Sequence, residues 1–192
     1  MAKQSEATAD RHPRRDVEAV PEGYHSVTPW ILAKGAAELI DFLKRAFAAT
    51  EIEGGRVTGP DGKIAHAEVR IGDSTVMLFD TLEDAQPMPS FLRLFVEDCD
   101  RAYQRALNEG ARSVTKPTDL AFGDRVARVR DPAGNVWWIQ THNEELDPSE
   151  LEQRNSDKKW VEAMEYVQDT LASELRSRLG STHGCARREP AR

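Results

Sequence analysis

A turn followed by an apolar strand occurs twice in this chain, about 60 residues apart. The segments 70–80 and 130–140 align without a gap, and each begins with a tight turn. Two further strand-like segments, 28–33 and 91–96, also match, and each leads into an amphipathic helix. Repetition on this scale indicates two copies of one supersecondary unit. The fold of that unit in turn indicates where a ligand would lie.

Each copy is predicted to be a βαβββ unit. The periodicity predicts one helix over 36–48 and a second over 98–110. The strands expected after these helices, separated by glycine- and proline-containing turns, are 51–58, 63–70 and 75–80 in the first copy and 112–118, 124–130 and 135–141 in the second. The predicted fold class is α+β, with modules at about 25–80 and 90–142 that pair as a half-open barrel, followed by C-terminal helices.

The ends of the chain differ in character from this repeated region. Residues 1–22 are polar and are predicted to be a disordered tail, and the paired domain is expected over 23–142. A helical extension is predicted for 143–179 and a frayed tail for 180–192. The second helix of the extension carries an apolar stripe, which indicates packing against the domain or against a partner chain.

Composition excludes several classes of function. The formal net charge of −7 argues against nucleic-acid binding, which needs a basic surface. No apolar run approaches the roughly 20 residues that span a bilayer, so no membrane partner is expected. The two cysteines form no disulfide framework, and the N-terminus has no apolar core of the signal-peptide kind. A cytoplasmic location is therefore expected.

Strand alternation predicts which side chains face the concave side of each half-curled sheet. In the first module Val76, Leu78 and Asp80 are expected to face inward, with Met77 and Phe79 under the helix. Four aromatic residues are expected in the middle of the cleft: Trp30, Phe91, Phe95 and Trp138. Polar residues are expected on its flanks: His66, Glu68, Arg93, Arg128, Asp80 and Gln140. Aromatic area with a few polar groups is typical of small-molecule pockets.

The segments 27–33, 64–73, 122–125 and 131–142 resemble the vicinal oxygen chelate superfamily. This superfamily includes glyoxalase I, bleomycin-resistance proteins and extradiol dioxygenases, and the chain is most similar to its PhnB-like branch. The Asp-Pro-Ala-Gly-Asn turn at 131–135 is the most specific of the matching motifs. The resemblance implies the paired βαβββ fold and, commonly, a homodimer.

The resemblance also allows the expected metal site to be tested. Metal-dependent members of the superfamily hold a divalent cation with His and Glu side chains at four cleft positions. These positions map to Thr28, Leu78, Phe91 and Trp138, none of which offers a carboxylate, imidazole or thiolate. We therefore expect no metal of the glyoxalase type, no cofactor and no ring-cleaving dioxygenase chemistry.

Three functional hypotheses follow. The leading one is a protein that binds a planar or aromatic small molecule by sequestration or sensing, with a ligand-binding set of Trp30, Phe91, Arg93, Phe95, Trp138 and Gln140. The alternative is a glyoxalase-like lyase or isomerase that uses His66 and Glu68 as an acid/base pair or as ligands of a relocated metal. The simpler interpretation is that His66 hydrogen-bonds a neighbour and Glu68 pairs with an arginine such as Arg128. A third possibility is an interaction module whose C-terminal helix covers the cleft or joins subunits.

Overall fold

The computed structural model describes residues 17–82, 85 and 88–181. The predicted tails fall largely outside these residues, since 1–16 and 182–192 are not among them. Within the described part of the chain, no helix is long and apolar enough to cross a membrane.

The fold is α+β and consists of two consecutive βαβββ modules followed by two helices, as predicted. The first module contains β1 (Trp30–Ala33), α1 (Ala36–Phe47), β2 (Thr50–Glu51), β3 (Val57–Thr58), β4 (Ile64–Ile71) and β5 (Ser74–Asp80). The second contains β6 (Phe91–Phe95), α2 (Cys99–Asn108), β7 (Arg112–Asp119), β8 (Asp124–Arg130) and β9 (Val136–His142). The chain continues into α3 (Pro148–Ser156) and α4 (Lys158–Ser181).

Each module forms a mixed sheet, and the two sheets do not close into a barrel. The first has the order β1-β5-β4-β2, with β3 also paired to β4, and the second has the order β6-β9-β8-β7. The first strand of each module pairs in parallel with the last, because the helix between them carries the chain back across the sheet. The strand predicted over 51–58 is divided in two. A turn in which Gly55 N donates to Ile52 O, with Gly54 in the left-handed region, interrupts it.

Local hydrogen bonds explain where the helices begin. The side chain of Asp98 accepts from Arg101 N and caps α2. At α1 the cap comes from the end of β5, where Asp80 Oδ1 accepts from Gly35 N and Ala36 N. The other oxygen of Asp80 accepts from Ile64 N at the start of β4. Asp80 therefore ties three elements of the first module together and does not face the concave side, contrary to the sequence prediction.

The two helices and the faces of the sheets beneath them form one hydrophobic core. Its members from α1 include Ile40, Leu43 and Phe47, and those from β9 include Trp137 and Ile139. The Phe47 and Trp137 rings lie 5.1 Å apart, and Arg105 Nε of α2 donates to Ala46 O of α1. The modules of one chain are therefore held together through their helix-covered faces.

The last helix, α4, packs on the opposite, concave face of the second sheet. Val167 is buried against Leu120 and Val126, and Met164 packs beside it. The helix before it, α3, begins within the predicted extension, where Asp147 and Glu150 form a reciprocal capping box. The apolar stripe of the extension thus covers the part of the second sheet near β7 and β8, and it leaves the β6 edge open.

Candidate functional site

The turns between the last two strands differ in length between the modules, and this decides which side chains face the cleft. Ile71 pairs with Ser74 across a two-residue turn, whereas Asp131 N donates to Asn135 O across a three-residue turn. A displacement of one residue along a strand reverses its faces. The gap-free alignment of 70–80 with 130–140 is therefore wrong by one residue in the last strand.

The predicted faces of β5 are reversed as a result. Val76 and Leu78 lie in the core beneath α1. Met77 and Phe79 lie on the concave face, where Met77 is the register partner of Trp30 and the Phe79 ring lies 5.0 Å from the Trp30 ring. By position relative to the turn, Met77 and not Leu78 corresponds to Trp138 of the second module.

This correction moves one of the four expected metal positions from Leu78 to Met77. A thioether is no replacement for the carboxylate or imidazole that a hard divalent cation needs. Among the described residues, no group of three or more His, Cys, Asp or Glu side chains is arranged to hold a metal ion. The residues at these positions do not fit the cation of the metal-dependent members, and we derive no chemistry through it.

The concave face of the first sheet carries Trp30, which is 60% exposed, and a polar group on β4. His66 Nε2 donates to Glu68 Oε1 over 2.9 Å. This is the contact with a neighbour that the simpler interpretation predicts for His66. The arginine partner predicted for Glu68 is wrong, because within the described residues Glu68 forms no ion pair with an arginine and Tyr24 completes the group. The hydrogen bond from Tyr24 holds the pKa of Glu68 below its ordinary value, with His66 acting in the same direction against the effect of burial.

The concave face of the second sheet is organised around Trp138. Because β9 lies between β6 and β8, Arg93 and Arg128 are both register partners of Trp138 and form one cross-strand row with it. The Cζ atoms of Arg93 and Arg128 lie 4.6 Å and 3.8 Å from the centroid of the indole ring. The Phe91 ring centroid is 6.5 Å from that of Trp138. We call this row, with Phe91, the arginine–tryptophan face.

The two arginines of this face differ in environment. Arg93 is exposed at the open edge, whereas Arg128 is only 2% exposed beneath α4. Arg128 Nη1 donates to Val167 O of α4 over 2.7 Å and to Thr115 Oγ1 over 3.2 Å. Burial lowers the pKa of Arg128 to about 10, and the positive charge of Arg93 acts in the same direction. Arg128 therefore remains a cation at neutral pH.

A second polar group lies at the end of β9. Gln140 is buried, and its amide nitrogen donates to Asp124, whose other carboxylate oxygen accepts from His142 Nδ1 over 2.6 Å. Asp124 and, to a smaller extent, Glu145 hold the pKa of His142 above its ordinary value. Asp124 lies in the matching segment 122–125, but nothing in its spacing marks it as a site residue. The position of Tyr24, in irregular structure before β1, had no sequence signal.

The structure brings most of the predicted ligand-binding set onto one sheet. Arg93, Trp138 and Gln140 share the concave face of the second sheet with two exposed phenylalanines, Phe91 and Phe95, which are 56% and 62% exposed. Trp30 lies on the first sheet, and no ring contact within the described chain joins it to the others. A cavity of about 130 Å³ is lined by Phe91, Leu92, Arg93 and Trp138. The cavity thus opens on the arginine–tryptophan face.

Two βαβββ modules with an aromatic concave face and a glycine turn before the last strand define one class of protein. The family model of the Glyoxalase/Bleomycin resistance protein/Dioxygenase superfamily matches residues 24–139, and the chain belongs to this superfamily. The resemblance found in the sequence is confirmed.

Three individual proteins are also similar to this chain. An uncharacterized protein of Mycobacterium bovis, Mb0911c, is 38% identical over 138 residues, covering 66% of this chain and 90% of its own length. The crystal structure of TioX from Micromonospora sp. ML1 is similar with a TM-score of 0.50 and 22% identity, covering 64% of this chain and 100% of that one. A PhnB protein from Bacillus cereus matches with a TM-score of 0.49 and 14% identity, covering 61% and 99%. The structural matches concern the fold alone.

Proposed function

We propose that this protein binds a small planar or aromatic molecule on the arginine–tryptophan face and acts by sequestration or sensing. The observation that carries the proposal is the cavity of about 130 Å³ lined by Phe91, Leu92, Arg93 and Trp138. Aromatic walls supply affinity through buried area and ring stacking, and the exposed guanidinium of Arg93 supplies orientation. The absence of ligand-type residues at the four superfamily positions favours binding without the usual metal.

We also propose that the protein acts as a homodimer in a reducing cytoplasm. Trp30, Phe91 and Phe95 are each more than half exposed on the concave faces, and exposed aromatic surface of this kind is typical of association sites. The one free cysteine among the described residues, Cys99, is buried and fits a compartment without disulfides. The mass of the protein in solution at several concentrations tests the association, and a monomer at all of them would contradict it.

The binding proposal is tested by screening planar aromatic fragments against the full chain with ligand-observed NMR. Phe91→Ser should abolish most of the hits without loss of fold, because Phe91 is exposed and contributes little to the packing of the core. Trp138→Leu should abolish them as well. The matched control is Trp160→Leu, since Trp160 lies on α4 beside Arg154 and Lys159, away from the cavity. Retention of the hits in both test variants would refute the proposal.

A second candidate is the lyase or isomerase, and the contact between His66 and Glu68 favours it. A general base works best when its pKa is near the working pH. The depressed pKa of Glu68 suits a permanent carboxylate and argues against a proton donor at neutral pH. Elemental analysis of the purified protein tests the relocated metal. Stoichiometric zinc, nickel, manganese or iron that is lost in Glu68→Gln would favour the enzyme over the metal-free binding protein.

The state of Glu68 can be measured directly. A carboxylate whose folded pKa is depressed adds stability that is present above its ordinary value of 4.5 and is lost as the pH falls through the folded pKa. A ¹³C NMR titration of the Glu68 carboxyl should therefore give a midpoint below 4.5. Tyr24→Phe should raise that midpoint, since Tyr24 is the largest cause of the shift. A midpoint near or above 4.5 would make Glu68 a candidate acid catalyst again.

A further inference from the structure

We propose that the ligand of the arginine–tryptophan face is an aromatic acid of about one ring, whose carboxylate lies against Arg93. This inference rests on the proposed binding function and narrows it to one chemical class. It is carried by the charges of the face, by its unpartnered polar atoms and by the size of its cavity.

The arginine–tryptophan face carries a positive charge that no ion pair compensates within the described residues. Within the described residues, neither Arg93 nor Arg128 forms an ion pair, and no carboxylate is among the causes that shift the pKa of Arg128. Neighbouring arginines of the same strand are paired, with Arg125 held by Asp100 and Asp119 and Arg130 held by Glu174. Two adjacent cations repel each other, and burial of one without a partner is costly. An anion beside Arg93 would offset the repulsion between the two cations.

The same region contains buried polar atoms without a hydrogen-bond partner. In the described part of the chain, three buried side-chain polar atoms have no hydrogen-bond partner, and all three belong to this region: Arg128 Nε, Trp138 Nε1 and Gln140 Oε1. Buried polar groups are almost always paired in native proteins. Two of the three atoms are donors on cross-strand neighbours. Both atoms are enclosed by the protein, so a ligand at Arg93 does not reach them. As donors without acceptors they leave this region with an excess of positive potential, which favours an anion.

The orientation of Gln140 follows from its neighbour. Its NH₂ group donates to the carboxylate of Asp124, and the reverse orientation would place two oxygens against each other. Gln140 Oε1 is therefore a fixed acceptor at the buried end of the face. It is enclosed by the protein and does not line the cavity, whereas the guanidinium of Arg93 does line it and suits the acid. The region therefore lacks hydrogen-bond acceptors around Arg93 and Arg128 and lacks a donor at Gln140.

The cavity on this face is smaller than an ordinary ligand pocket. Pockets for drug-sized ligands usually measure about 300–1,000 Å³, whereas the cavity beside Trp138 measures about 130 Å³. A cavity of this size suits a single aromatic ring in contact with Phe91 and with the edge of Trp138. The acid group would then extend toward Arg93, at the exposed end of the row. Arg128 stays behind the indole as a fixed positive charge.

The test compares three planar probes of the same shape and different charge: benzoate, benzamide and benzamidine. Dissociation constants are measured by ligand-observed NMR titration on the full-length protein at low ionic strength. We expect benzoate to bind about tenfold more tightly than benzamide, because hydrogen bonds to charged groups are stronger than neutral ones. Benzamidine should bind most weakly. Raising the salt concentration should weaken the binding of benzoate and leave the binding of benzamide unchanged.

Variants separate the role of the charge from the role of the fold. Arg93→Gln should abolish the preference for benzoate, and Arg93→Lys should retain part of it. The control is Arg101→Gln, since Arg101 is an exposed arginine on α2, away from the face. It should leave all three constants unchanged.

Each outcome decides one proposal. Equal binding of the three probes that is lost in Phe91→Ser would overturn the inference about the acid and leave the aromatic site intact. Tightest binding of benzamidine would overturn it as well. If none of the three probes binds, the acid proposal fails, and the fragment screen described above decides separately whether the face binds any aromatic compound.

Discussion

The buried carboxylate of Asp131 is the residue on which we expect the second module to depend most. One oxygen accepts from Asn135 N over 2.9 Å, and the other accepts from Asn135 Nδ2 over 2.8 Å and from Trp137 Nε1 over 2.9 Å. These bonds close the three-residue turn that sets the register of β9. Asp131→Ala would leave all three donors without their partner, two of them on buried side chains.

The magnitude follows from those bonds. Each unsatisfied buried donor costs about 1–3 kcal/mol, and the change removes three acceptor contacts. Removing a carboxylate whose pKa is raised by burial recovers part of the cost, because the charged form was itself destabilised there. We therefore expect Asp131→Ala to lower the free energy of unfolding by about 3–5 kcal/mol. This is a large part of the total for an ordinary domain, about 5–15 kcal/mol.

The internal repeat supplies a control at the equivalent turn. Asp73 in the first module is exposed and, within the described residues, accepts only from Ser74 Oγ, with His25 3.8 Å away. Asp73→Ala should change the free energy of unfolding by less than about 0.5 kcal/mol. Urea unfolding at neutral pH, followed by tryptophan fluorescence, measures both variants. In Asp131→Ala the indole N–H resonance of Trp137 should also move. A loss of less than about 1 kcal/mol in Asp131→Ala, or equal losses in the two variants, would refute the reasoning.

Two further predictions concern the C-terminal part of the domain. In an NMR titration His142 should have a pKa above 6.5, and Asp124→Asn should lower it, since Asp124 is the main cause of the shift; an unchanged midpoint would show that the contact does not form. Val167→Ala should destabilise the protein by about 1–2 kcal/mol because Val167 is buried against the second sheet. Val161→Ala, on an exposed part of the same helix, should cost less than about 0.5 kcal/mol, and equal costs in urea unfolding would show that α4 does not pack on the sheet.

Much of this fold is predictable from local pattern. The helices begin and end near the predicted residues, since apolar spacing and capping residues such as Asp98 and Asp147 are local signals. Strand alternation alone placed Arg93 and Trp138 on the concave face of the second sheet. The same rule failed on β5, because a gap-free alignment cannot show that one turn holds two residues and the other three.

Long-range contacts account for the rest of what the sequence did not show. Tyr24 reaches Glu68 from an irregular segment, and no pattern marks that contact. The apolar stripe of α4 predicted that the helix is buried on one side. A stripe does not specify which surface covers it, so its place over Arg128 could only come from the structure.

The two modules share a fold but present opposite charges at equivalent positions. Counted from the turn, Glu68 of β4 corresponds to Arg128 of β8, since each lies three residues before the first residue of the turn pair, Ile71 or Asp131. The first face holds a carboxylate whose oxygens are already engaged by Tyr24 and His66, whereas the second holds two arginines that form no ion pair within the described residues. An acid that suits the second face is repelled by the first. The duplication therefore predicts two similar surfaces in each chain and only one site for an aromatic acid.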